Sequence, residues 1–183
     1  MDETVLDITE AQFKIPLIIP DKAFVYRQVY KTQLDKVGRF PKAKHFMPDS
    51  DGLSTLWNEF ATVKEVYHII GISYKINKTV YKNPLEFSVF AFPIVFLKGI
   101  EGINEILHSP VFCGNPAPVG NPNNYAHASV CYGEDEQIRL NLSDYCSNKF
   151  DTAHCPIDFQ TIESEVEALR LRLNNTKYHC CKK

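Results

Sequence analysis

The chain lacks most of the features that would classify it at a glance. It has no Gly-x-Ser-x-Gly elbow, no His-Glu-x-x-His helix and no glycine-rich phosphate loop, so the common hydrolase, metalloprotease and nucleotide-binding signatures do not apply. Neither sign of charge dominates: 20 Lys and Arg stand against 22 Asp and Glu, a net of −2. A protein that wraps a nucleic-acid backbone carries a basic excess, so nucleic acid is not an expected partner. Long apolar runs are missing as well. The longest, residues 90–97, is interrupted by Pro93 and falls far short of the roughly 20 residues a spanning helix needs, which argues against a membrane protein. A secretory leader opens with positive charge, whereas this chain opens Met-Asp-Glu-Thr, so a cytoplasmic location is expected. There, Cys113, Cys131, Cys146, Cys155, Cys180 and Cys181 read as small buried hydrophobes and a tail pair, not a disulfide framework. The Asn-x-Ser/Thr triplets at Asn77, Asn141 and Asn174 carry no glycosylation meaning there.

What the chain does have is aromatic core material, 12 Phe and 9 Tyr against 2 Met, in 183 residues. That length suits one domain with a true core. Three regions are expected: an extended arm over 1–22, an α+β core over 23–150, and a C-terminal helix and tail over 151–183. Pro16 and Pro20 exclude a helix interior from the arm. Residues 23–30 are rich in β-branched and aromatic side chains and read as a strand, as do 53–57, 72–81, 87–92 and 126–132. Val63, Val66, Tyr67 and Ile70 keep helical spacing and Gly71 stops that helix. Ile100, Ile103, Ile106 and Leu107 predict a second helix over 100–107. Ile138, Leu142, Tyr145 and Cys146 give a third one apolar face, with acids at its start favouring the macrodipole. Phe159, Ile162, Val166, Leu169 and Leu173 form a narrow seam on a long final helix, which suits docking on the domain or a homodimer. The expectation is a single α+β domain, with a mixed or antiparallel sheet, three to four helices and a long C-terminal helix.

At Val25-Tyr-Arg27, Gly38-Arg39, Phe46, Asp51-Gly-Leu-Ser54 and Ala126-His-Ala-Ser-Val130 the chain resembles a diffuse group of small uncharacterised bacterial proteins. These carry an opening YR, a GR…F…DGLS segment and a later HA-x-V strand followed by a helix. The resemblance spans about residues 24–146 and implies a part in two-gene toxin–antitoxin or phage-defence modules, without an agreed chemistry. The Pro/Asn-rich loop 113–124 and the Cys-rich C-terminus depart from the pattern.

Four constellations compete for the function. Arg27 on an early strand, Ser54 on another and an acid at Glu134 or Glu136 follow the order of a toxin-type ADP-ribosyltransferase. There Arg grips the NAD diphosphate and Glu stabilises an oxocarbenium-like ribose. The bland counterpart is a structural Arg27 and a turn-closing Ser54. His127, ahead of Asp135 and Glu136, has the chemistry of a general base, with His45 converging if both motif segments line one cleft. Its bland counterpart is a His bonding backbone at a strand end. Cys146, His154, Cys155, His179, Cys180 and Cys181 do not have the spacing of a structural zinc site, and no metal is expected. The remaining constellation is an interaction module that binds a protein partner through loop 113–124, with Asn121, Asn123 and Asn124 as contacts beside His45. The leading expectation is this binding role without a cofactor. The NAD-dependent transferase, with Arg27, Ser54, His127 and Glu136 as its site, is the alternative.

Overall fold

A computed structural model describes residues 17–71, 86–110 and 126–156. Their backbone builds a six-stranded, wholly antiparallel sheet: β1 (Leu17–Ile18), β2 (Phe24–Tyr30), β3 (Leu53–Trp57), β4 (Phe87–Pro93), β5 (Glu105–His108) and β6 (His127–Cys131). The spatial order is β1-β5-β6-β3-β2-β4. Four helices accompany it: α1 (Val63–Gly71), α2 (Ile94–Lys98), α3 (Glu136–Asn148) and α4 (Phe150–Ala153). The class is therefore α+β with an antiparallel sheet. None of the described helices is long and apolar enough to cross a membrane.

Alternation along the strands divides the side chains between two layers, because successive residues point to opposite faces. Val25, Val29, Leu53, Phe90, Phe92, Ile106, Ala128 and Val130 turn to one face, where Phe46, Leu97, Ile138, Leu142 and Cys146 cover them. That larger core brings together α2, α3 and the 3-10 turn Ala43–Phe46. Leu56, Val89 and Phe87 turn to the other face, against Val66 and Tyr67 of α1. Among the described residues most aromatic side chains lie in the first layer, where Phe92 meets Phe46 edge-on at 5.9 Å and Phe96 stacks on Tyr145 at 4.0 Å.

Local chemistry explains where the helices start. Asp135 caps α3 by accepting from the Gln137 and Ile138 amides, which would otherwise be unpaired at a helix N-terminus. Thr62 and Glu65 cap α1 reciprocally: the Glu65 carboxylate accepts from the Thr62 amide and the Thr62 hydroxyl accepts from the Glu65 amide.

The helix expected over 100–107 is absent, and this part of the reading is corrected. The helical turn comes earlier, at α2, directly after Pro93 fixes an extended N-cap. Gly102 then takes φ +91, which breaks helical propagation, and β5 follows. The isoleucine spacing matched a helical template by coincidence, since Ile106 is buried as a strand residue paired with Val130. Pro93 ends β4, and Cys155 and His154 run beside that strand's far side. The strand expected over 72–81 and the long C-terminal helix lie outside the described residues.

Gly52 shows how tightly the motif loop fits. Its φ is +100, and a Cβ built there meets the Val130 carbonyl oxygen at 2.6 Å. Gly38 also has positive φ, but open space surrounds it. Equilibrium urea unfolding is expected to show Gly38→Ala losing about 1 kcal/mol from conformation alone. Gly52→Ala should lose roughly 2 kcal/mol or more, because strain and clash act together.

Candidate active site at the parting of β2 and β3

Strands β2 and β3 pair only at Val25–Trp57 and Tyr26–Leu56, although β2 continues for four further residues against β4. Beyond Tyr26 the seam opens. A cleft forms there, lined by Tyr26, Arg27 and Gln28 on one side and by Ser54, Thr55, Leu56 and His127 on the other. As lined by these residues it holds about 90 Å³, well below the roughly 300–1,000 Å³ of a drug-sized ligand site.

Arg27 bridges the opened seam. By strand alternation its side chain leaves β2 toward the α3 face, with Val25 and Val29. Its Nη1 donates to the Ser54 carbonyl at 2.8 Å and its Nη2 to the His45 carbonyl at 3.4 Å. The guanidinium thus joins β3 to the 3-10 turn of His45, where a continuous ladder would have used backbone amides. Burial holds Arg27 below its ordinary range, while Tyr132 and Asp49 pull in the opposite direction. Its Nε has no hydrogen-bond partner among the described residues. The Tyr132 hydroxyl donates to the Phe46 carbonyl, which fixes the same turn from the β6 side.

On the α1 face of the seam stand Ser54 and His127. The His127 Nδ1 lies 2.7 Å from the Ser109 carbonyl oxygen. A carbonyl only accepts, so Nδ1 carries the proton, and the lone pair of the neutral ring sits on Nε2. Nε2 lies 3.3 Å from the Ser54 Oγ, which must then donate to it. The Ser109 Oγ is 3.0 Å from Nδ1 and 2.8 Å from the Ser129 Oγ, so a second hydroxyl pair backs the ring. Burial pushes the His127 pKa down, partly opposed by the bond to Ser109; His108 adds to the lowering and Asp51 opposes it. The result is a neutral, oriented imidazole facing a serine hydroxyl, the arrangement of a base beside a nucleophile.

The structure places the remaining sequence candidates elsewhere. His45 contributes its carbonyl to Arg27, in a turn on the α3 face, and burial beside Lys44, Lys42 and Arg27 pushes its ring pKa down. Glu136 is the exposed first residue of α3, the helix that covers the opposite face from Ser54 and His127. Asn121, Asn123 and Asn124 lie outside the described residues. Cys146 is fully buried in the larger core, and burial pushes its thiol far up. Among the described residues no group of His, Cys, Asp or Glu is arranged to hold a metal ion. Ser109 and Ser129 were not singled out in the sequence. The only available signal was Ser129 in the His-Ala-Ser strand, two residues from His127 and therefore on its face.

Two measurements check this geometry. Arg27→Lys keeps the charge but cannot span both carbonyls, so chemical unfolding should show a loss of about 2 kcal/mol. For His127, the folded pKa is lowered relative to the unfolded value of about 6.5, so the unfolded chain binds the proton more readily. Its contribution to stability is therefore complete above about 6.5 and is lost as pH falls through the interval down to the folded pKa. His127→Gln should flatten that part of the stability–pH curve, and NMR titration of the wild-type ring should show its midpoint below 6.5.

No family model, curated protein or solved structure matches the chain, so its function is read from the cleft itself.

Proposed function

We propose that the protein is a small accessory protein of a toxin–antitoxin or phage-defence module that acts by binding a partner, and that the partner presents a small polar group to the β2–β3 cleft. One observation carries this reading: the separate segments that bear the resemblance supply the cleft's lining. Tyr26 and Arg27 come from the first, Ser54 from the DGLS segment and His127 from the HA-x-V strand. Segments scattered over a hundred residues serve one opening, and their polar groups meet there at hydrogen-bond distance. Sites of recognition commonly sit where a rigid scaffold presents a few convergent polar groups. The module setting rests on the resemblance alone.

The second reading is an NAD-dependent ADP-ribosyltransferase-like toxin. Arg27 and Ser54 on neighbouring strands favour it. Against it, both terminal nitrogens of Arg27 are engaged by backbone carbonyls, and Glu136 stands at the start of the helix on the opposite face. Induced expression in a bacterial host distinguishes the two. The binding reading predicts unimpaired growth and no change in Tm with NAD. Growth arrest that Ser54→Ala relieves, together with NAD consumption by the purified chain, would replace it with the transferase.

A further inference from the structure

We infer that Ser54 is a nucleophile activated by His127, and that the cleft accepts a small activated acyl group, of the kind carried by an acetyl ester, onto the Ser54 hydroxyl. This rests on the reading that the β2–β3 cleft is the functional site.

Geometry fixes the direction of every proton in the relay. The Ser109 carbonyl compels the Nδ1–H tautomer at 2.7 Å, which leaves Nε2 as the acceptor facing Ser54 Oγ at 3.3 Å. That separation is slightly longer than the usual contact, as is common before substrate draws the pair together. Three strand segments hold the relay: Ser54 in β3, His127 in β6, and Ser109 immediately after β5. The Ser54–Ser129 and Leu56–His127 pairings set Ser54 and His127 on one face of adjacent strands. Their meeting is thus a consequence of register, and no loop has to close to produce it. Burial disfavours the imidazolium, so the ring stands as a free base at neutral pH.

The cleft also selects the group transferred. A phosphoryl group in transfer is normally met by cations. Arg27 is the cation among the described lining residues, and its Nη atoms are already engaged by the Ser54 and His45 carbonyls. An uncharged acyl carbon suits these walls better, beside Tyr26 and Leu56, and a volume of about 90 Å³ admits a short one. In the first step Ser54 Oγ bonds to the acyl carbon while its proton passes to His127 Nε2. The C–O bond to the leaving alcohol breaks, and that alcohol takes the proton from Nε2. Water then attacks the acyl-serine and gives its proton to Nε2, the bond to Ser54 breaks, and the proton returns to Ser54 Oγ as the carboxylic acid leaves.

The test is incubation of the full chain with p-nitrophenyl acetate, quenched with acid within the first turnover so that the acyl-serine is caught before water removes it, with the acetyl group located by peptide mass mapping. Acetyl on Ser54 is expected, absent in Ser54→Ala and formed roughly 100-fold more slowly in His127→Gln. Independently of any variant, the wild-type rate at Ser54 should rise along a titration curve centred below about 6.5 and then level off. Acetyl confined to lysines, a His127→Gln rate equal to wild type, or a Ser54 rate that climbs with hydroxide without levelling would each overturn the inference. A chain harmless to its host, silent to NAD and unmodified at Ser54 loses this inference and keeps the binding reading. Host arrest with NAD consumption removes the binding reading, and Ser54 mapping then decides the acyl chemistry separately.

Discussion

The site depends on how one buried guanidinium closes an open seam. β2 leaves β3 after two residue pairs while remaining fully paired to β4. Carbonyls freed by such a parting are costly to bury unless donors reach them. Arg27 supplies two donors in a fixed planar fork, one to β3 and one to the 3-10 turn at His45. The parted seam is thereby stable and leaves room for a cleft. A continuous β2–β3 ladder would have filled that space with backbone.

The same parting governs the electrostatics on the α1 side. His127 is oriented by a backbone carbonyl, a dipole that needs no counter-ion and no particular pH. Burial then keeps the ring neutral, with Asp51 pulling only in the opposite, lesser sense. Ser54 is placed opposite Nε2 by sheet register, so the polar pair is rigid in the way a functional constellation on strands is rigid. Gly52 belongs to this arrangement: its φ of +100 and its close approach to the Val130 carbonyl let the chain enter β3 against β6.

Much of this was legible in the sequence, for physical reasons. β2, β3 and β4 carry aromatic and β-branched residues and β6 is a short, mostly small-residue segment around Val130; the fold class followed from them. α1 and α3 announced themselves through helical spacing of their apolar residues. Arg27, Ser54 and His127 were singled out by residue type and by the segments around them, and the cleft gathers all three. What the sequence could not reveal was direction. Whether Arg27 and Ser54 project to the same face depends on register and on where the ladder parts, and neither is written locally. Glu136 looked suitable because it follows His127 closely in the chain, yet the turn at residues 132–135 carries it to a helix on the other face. The isoleucines of 100–107 show the opposite limit, since a spacing that fits a helix was overruled by Gly102 and by pairing with β6. Ser109 acts mainly through its carbonyl, a group every residue has, so no residue pattern marks it.

The Ser109 carbonyl sets His127 as a neutral base with its lone pair toward Ser54. Long-range proton–nitrogen NMR of the ring at neutral pH reads this directly, because protonated and bare ring nitrogens resonate in separate ranges. A proton on Nδ1 and a bare Nε2 are expected. A proton on Nε2, or an imidazolium carrying both, would contradict it.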